Sequence, residues 1–269
     1  MTKPTSQQHS HQAKKRFGQN FLVDGNIINR IIGAIKPLAG EHLVEIGPGL
    51  GALTRHLVDK NCQLDVVEID RDLAQKLELQ YADTPHFKLH QMDALKADFG
   101  ALASAERSLR VIGNLPYNIS TPLLFHLLTF KACIHDMHFM LQKEVVDRLA
   151  SPEGKKTYGR LSVMVQYHCH IEPLFVVPPS AFKPAPKVES AIVRLRPRSR
   201  TTTVTDPKFF AQMVNVCFQQ RRKTIRNGLK LILKELPEDC LADIDLGRRP
   251  ETFSVEEFIA MANQLSALR

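Results

Sequence analysis

Isoleucine recurs at positions 27, 28, 31, 32 and 35 with polar or small residues between them, so one face of a helix is apolar. Asp24 stands just ahead of that run and offers a side-chain oxygen to the helix's first free amides. The period then shortens. "EHLVEIG", "QLDVVEID", "FKLHQMD", "SLRVIGN" and "IHDMHFML" read as buried strands. Among them "LTRHLVDK", "RDLAQKLELQYA", "TPLLFHLLTF" and "KEVVDRLA" space their apolar residues as amphipathic helices do. Strands alternating with such helices predict an α/β fold with a mostly parallel sheet covered on both faces.

The alternation stops after about Ala150. "SPEGKKTYG" predicts a loop, "RLSVMVQYHCH" a helix and "EPLFVV" a sixth strand. "PPSAFKPAP" is proline-rich and irregular, and "VESAIVRLRP" predicts a seventh strand. Two late strands without a helix between them suggest an antiparallel pair at one sheet edge. From about Thr201 the chain reads as helical, with "PKFFAQMVNVCFQQRRKTIRNGLKLIL" as its main segment. The expected organisation is a flexible basic arm over 1–19, an α/β domain over 20–200 and a small helical domain over 201–269 that would contact a nucleic acid.

Composition narrows the partners. No stretch reaches the roughly 18 to 20 apolar residues that span a bilayer. The polar N-terminus lacks an apolar signal core. Cys62, Cys133, Cys169, Cys217 and Cys240 are dispersed without a C-x-x-C pair, which points to reduced thiols and a cytoplasmic protein. A monomer is the default expectation. The net charge is +8, and thirteen Lys or Arg face two acids between Lys183 and Lys234. Lys14, Lys15 and Arg16 add to this in the arm. Basic charge so concentrated suggests a polyanion, most often nucleic acid. Arg221, Arg222, Lys223 and Arg226, in a run with helical spacing, are candidate phosphate contacts; the plainer alternative is a solvated face.

Candidate chemistry gathers at strand ends. Gly47, Gly49 and Gly51 separate the first strand from its helix, where glycines allow a sharp turn and close approach of a ligand. Glu68, ending the second strand, can accept both hydroxyls of a ribose. Asp93, ending the third, can accept an exocyclic adenine amine, with Met92 and Ala94 beside it. Each acid alone reads as a loop cap; the three together suggest an adenosine. They do not distinguish NAD from S-adenosylmethionine.

The fourth strand decides. It ends in "RVIGNLPYNIS". A nucleobase amine is a poor nucleophile because its lone pair is delocalised into the ring. The Asn114 side-chain oxygen and the Leu115 carbonyl can hold that amine and favour a pyramidal nitrogen. Pro116 stiffens the turn, and Tyr117 offers a face for an extruded base. Hydride chemistry needs none of this; methyl transfer does. "HCH" at His168 to His170 is a weak metal motif, since consecutive residues diverge, so no metal is expected. His135 and His138 read as structural.

"EIGPGLG" with "NLPY" resembles the class I, Rossmann-like methyltransferases acting on adenine N6. "KRFGQNFL", "GNLPYNIS", "FKPAPKVESAIVRL" and "QQRRKTIRN" are similar to the small-subunit branch of the rRNA adenine dimethyltransferase family, from about Lys15 to the C-terminus. The resemblance implies S-adenosylmethionine as cofactor, held by Asn20, Leu22, Gly47, Gly49, Glu68, Asp93 and Asn114. From spacing alone Asn20 and Leu22 only lead into the first helix. It also implies that Phe182 stacks on the target base opposite Tyr117, where the residues by themselves suggest packing against the sheet edge. The implied product is a pair of adjacent dimethylated adenines near the 3′ end of 16S rRNA, made within a pre-30S particle. The alternatives are a related large-subunit enzyme conferring macrolide resistance and a non-catalytic assembly factor.

Overall fold

A computed structural model describes residues 19–233, 241 and 244–267. The short strand β1 (Phe21–Leu22) leads to helix α1 (Gly25–Ile35). Asp24 caps α1, accepting the Asn26 and Ile27 amides at 2.9 and 3.1 Å. Ile27, Ile28, Ile31 and Ile35 are buried, as the isoleucine stripe requires.

The strands β2 (His42–Ile46), β3 (Gln63–Glu68), β4 (Phe87–Gln91), β5 (Leu109–Asn114) and β6 (Ile134–Gln142) are mutually parallel. Their helices are α2 (Thr54–Leu57), α3 (Arg71–Tyr81), α4 (Ser120–Thr129) and α5 (Lys143–Ala150). Then come α6 (Arg160–His168), β7 (Cys169–Val177), the two-residue β8 (Phe182–Lys183) and β9 (Ser190–Pro197). The seven-stranded sheet runs β4-β3-β2-β5-β6-β9-β7. β9 is antiparallel to both β6 and β7, so the late pair does form an antiparallel edge. β1 and β8 pair as a separate ribbon, Leu22 opposite Phe182.

Successive residues of β5 serve different cores. Val111 joins Leu123, Leu127 and Phe139 on one side of the sheet, and Ile112 joins Ile28, Leu43 and Leu64 on the other. This is the two-residue period of a strand buried on both faces. A third core unites Phe209, Phe210 and Met213 of α7 (Pro207–Gln219) with Phe258 and Met261 of α9 (Val255–Ser266). Val163, Met164 and Tyr167 of α6 enter it too, so the C-terminal helices are seated on the α/β part.

A buried ionic network fixes β5. The Arg110 guanidinium donates to both Asp136 oxygens at 2.9 and 3.1 Å, to Glu41 at 2.7 Å and to the Ile35 carbonyl at 2.7 Å. Arg194 of β9 adds a bond to Asp136 at 2.8 Å. Burial alone would raise the Asp136 carboxyl, but the bond from Arg110 and the surrounding positive charge hold it below its ordinary value. The network ties α1, β5, β6 and β9 together.

Several elements differ from expectation. "LTRHLVDK" makes only four α-helical residues before a 3-10 turn over Val58–Lys60. The helix of "RLSVMVQYHCH" stops at His168, because Cys169 and His170 pair with Pro197 and Arg196. His168 and His170 thus fall on a helix end and a strand. The basic run is not one helix. α7 ends at Gln219, a turn follows, and α8 covers Ile225–Leu229. Gly228 presses on Cys217, where an added Cβ would lie 2.7 Å from the Cys217 Cα. A continuous helix could not bring those residues together.

Candidate functional site

The chain visits β2, β3 and β4 on one side and then returns to β5 beside β2. Strand order reverses there, and a crevice opens at the carboxyl ends of the strands. It is a cavity of about 270 Å³. Gly47 and Gly49 follow β2 with φ of 65° and 60°. The backbone there favours glycine, and a Cβ on Gly49 would crowd the Phe21 ring at 3.2 Å. Gly113 lets β5 lie against β2: its Cβ would be 2.6 Å from the Ile46 carbonyl oxygen.

Glu68 ends β3 and is 5% exposed. Its Oε1 accepts the Asp70 amide at 2.8 Å and its Oε2 the Gly49 amide at 3.3 Å. Burial raises its carboxyl, and these amide bonds oppose the rise. Spare lone pairs remain for a diol. Asp93 accepts the Leu95 amide on Oδ1 at 3.0 Å, capping a short 3-10 turn. Capping uses one oxygen and leaves the other, so the two readings of Asp93 are compatible.

Asn114 closes β5. Its Nδ2 donates to the Asn20 carbonyl at 3.1 Å. That bond fixes the amide and makes Oδ1 its remaining acceptor. The Leu115 amide donates to Met140 at 3.2 Å, so the turn continues the β5–β6 ladder. Tyr117 is half-buried, and its hydroxyl lies 2.7 Å from Ser190 Oγ. The ring is therefore anchored at its far end. Burial raises its phenol, partly offset by the Ser190 bond.

Asn20, Leu22, Gly47, Gly49, Glu68, Asp93, Asn114, Leu115 and Tyr117 all line this one cavity. Phe182 does not. It is 3% exposed, in the core that holds Ile28 and Leu22. Its β-pairing with Leu22 turns it inward, so in this structure it supports the ribbon and presents no face to a base. Leu50, Ile69 and Glu45 are among the lining residues that sequence reasoning overlooked. Leu50 and Ile69 are exposed apolar walls, and nothing in the loops that carry them marks them out. Glu45 is a carboxylate inside the apolar run "HLVEI", a signal that was there to be used. Burial pushes it up to about 7, and Thr54 Oγ1 donates to it at 2.7 Å.

Among the basic candidates, Lys14, Lys15 and Arg16 lie outside the described residues. Arg221 is ion-paired with Glu251 at 2.6 Å and donates to the Lys156 carbonyl, so its charge is already engaged. Arg222 and Lys223 are exposed on the turn, and Arg226 is partly exposed in α8. Among the described residues no helix is long and apolar enough to cross a membrane.

The profile of the family described as Ribosomal RNA adenine dimethylase matches residues 10–267. The chain belongs to the ribosomal RNA adenine dimethylase family. Within that family it is 56% identical over 264 residues to Ribosomal RNA small subunit methyltransferase A of Saccharophagus degradans, covering 98% of each chain. It is 52% identical over 265 residues to the protein of that name in Pseudomonas aeruginosa, again covering 98% of each. A dimethyladenosine transferase from Plasmodium falciparum superposes with a TM-score of 0.77 at 25% identity, covering 91% of this chain and 97% of that one. The 23S rRNA methyltransferase ErmE superposes at 0.70 with 27% identity, covering 92% and 100%. The donor set in the crevice fits the dimethylase cofactor, S-adenosylmethionine. A buried carboxylate ends β3, a cap acid with a spare oxygen stands beside exposed Met92, and glycines bare the main chain.

Proposed function

We propose that this dimethylase transfers methyl groups from S-adenosylmethionine to the N6 amines of two adjacent adenines in the 3′-terminal hairpin of 16S rRNA. The substrate is a pre-30S particle and the product is a pair of N6,N6-dimethyladenosines. The observation that carries the reading is the Asn114 amide, fixed by the Asn20 carbonyl at the rim of a crevice that also holds Glu68 and Asp93.

When bound, S-adenosylmethionine supplies an electrophilic methyl group on a sulfonium. The chain's residues do the rest. Asn114 Oδ1 and the Leu115 carbonyl accept hydrogen bonds from the two amine N–H groups and turn the nitrogen lone pair toward that methyl. Tyr117 supports the base plane from a ring held by Ser190. Phe182 acts from behind, holding Leu22 and hence the Asn20 carbonyl. The nitrogen would gain the methyl carbon as that carbon's bond to sulfur breaks and leaves a neutral thioether, and it would then release a proton to solvent. After the first transfer one N–H remains, so one acceptor of the pair suffices. Positioning supplies most of the rate. The protein is taken as a cytoplasmic monomer. Its four described cysteines are free, and burial pushes the Cys169 and Cys217 thiols up to about 12, as suits thiols kept reduced.

Unmethylated small and large subunits, incubated with the protein and labelled cofactor, should be mapped by mass. Two adjacent dimethyladenosines near the 16S 3′ end are expected. Labelling confined to the large subunit, or none, rejects the reading.

A further inference from the structure

A second cavity of about 290 Å³ lies at the other end of the sheet. Its walls come from the segments just before β5 and β6, the end of β9 with the residues after it, and Tyr167 near the end of α6. β5 has six residues, so the two cavities are separated by roughly 20 Å of strand. Arg107, Lys131, Arg198 and Arg200 line it, with Glu106 as the one acid in its wall.

These cations are poorly compensated. Arg200 is engaged: it donates to Glu256 at 2.6 Å and to the Tyr167 and Gln166 carbonyls at the end of α6. Arg198 reaches Glu256 only at 3.8 Å. Lys131 has a histidine for a partner, with Nζ 3.3 Å from His168 Nδ1. Burial, then the charges of Lys131 and Arg200, push that imidazole down to about 4, so it accepts from Lys131 without neutralising it. Arg107 donates to Ser199 Oγ at 3.2 Å and has no ion pair among the described residues. Its φ is 52°, held by a bond from its amide to the Ala132 carbonyl at 2.9 Å. A non-glycine residue kept in the left-handed region costs energy and commonly serves a site.

Like charges converging on one concavity repel unless an anion joins them, and low-dielectric walls focus their field. Guanidinium forks beside an ammonium match the oxygens of a phosphate. We propose that this cavity binds a backbone phosphate of the RNA substrate, at a point remote from the reacting base. The proposal rests on the RNA function proposed for the crevice. It adds a second anchor that fixes orientation on the particle without reading sequence.

The test uses the full chain with its cofactor and unmethylated small subunits, with affinity measured across a salt series. The variant carries Arg107→Gln, Lys131→Gln and Arg198→Gln; Arg200 is spared because it caps α6. Affinity should fall by roughly tenfold or more, the scale of a hydrogen bond to a charged group. The salt slope should flatten by about 0.7 to 0.9 for each phosphate no longer neutralised. Cofactor affinity and melting temperature should match the wild type. Should the triple variant fold poorly, Lys131→Gln alone should show the smaller part of the same change, and Lys131→Arg should restore it. A folded variant with wild-type affinity and slope overturns the proposal. Melting of the wild type raised by inorganic phosphate, with no change in the RNA slope, would mark a free-anion site and equally overturn it. If the wild type fails to bind the particle at all, the functional reading falls with it.

Discussion

The two ends of the parallel sheet are built from the same strands and carry opposite chemistry. At the carboxyl ends, Glu45, Glu68, Asp93 and Asn114 present oxygens around glycine turns. At the amino ends, Arg107 and Lys131 stand just ahead of β5 and β6, joined by Arg198 and Arg200 after β9. On the proposals above, one end receives a cofactor and an amine and the other an anion. Between them Asp136 is the acid against which Arg110 and Arg194 are balanced. The parallel strands deliver their following loops to one side, and antiparallel β9 delivers Arg198 and Arg200 to the other.

The hardest blow to the contrast is the removal of that central acid. Asp136→Asn should leave buried Arg110 undercompensated and cost about 3–5 kcal/mol in urea unfolding. A loss below about 1 kcal/mol would mean that the network in β5 and β6 is not what holds the two ends apart. Next, Asn114→Ala should lower turnover by roughly 10²–10³-fold, as removal of a preorganised polar group does at other centres. Most of the cofactor affinity should survive, as read by calorimetry. Unchanged turnover would take the chemistry away from β5.

Glu45→Gln should expose a pH dependence peculiar to the carboxyl end. The folded Glu45 carboxyl titrates at about 7, above its ordinary 4.5, so the folded chain holds the proton more tightly than the unfolded chain. Wild-type stability from this group is therefore complete below about pH 4.5 and is lost as pH climbs toward 7. His138 and His168, pushed down to about 4 by burial, act in the opposite sense between 4 and 6.5. The difference between variant and wild type isolates Glu45. It should grow to at most roughly 3 kcal/mol between pH 4.5 and 7 and then level off. A flat difference across that range removes Glu45 from the account. The smallest effect belongs to the turn before α8. Arg222→Gln with Lys223→Gln should flatten the salt dependence of RNA binding by about 0.7–0.9 for every phosphate left without its cation, with melting unchanged. An unaltered slope would assign those exposed charges to solvent.

Much of the site was legible because strand ends are legible. A buried run that stops on glycine, glutamate, aspartate or asparagine shows in one dimension, and four such endings became one crevice once the strands lay parallel. Glu45 was legible too, as a charge within "HLVEI", but its depth was needed to give it meaning. Phe182 and the basic run show what local reading leaves open. An aromatic in a proline-rich loop can face a ligand or a core, and only its pairing with Leu22 turned it inward. Helical spacing through "QQRRKTIRN" was real, yet the close seat of Gly228 on Cys217 broke the helix and engaged Arg221 with Glu251.

By itself the sequence determined the alternation of elements, the covered sheet, the antiparallel edge and the acids and amide at the strand tips, since each follows from local period and residue type. Tertiary structure alone decided the β1–β8 ribbon, the orientation of the Asn114 amide and the gathering of Arg107, Lys131, Arg198 and Arg200. Each joins residues dozens of positions apart, and no local pattern encodes the packing that makes them neighbours.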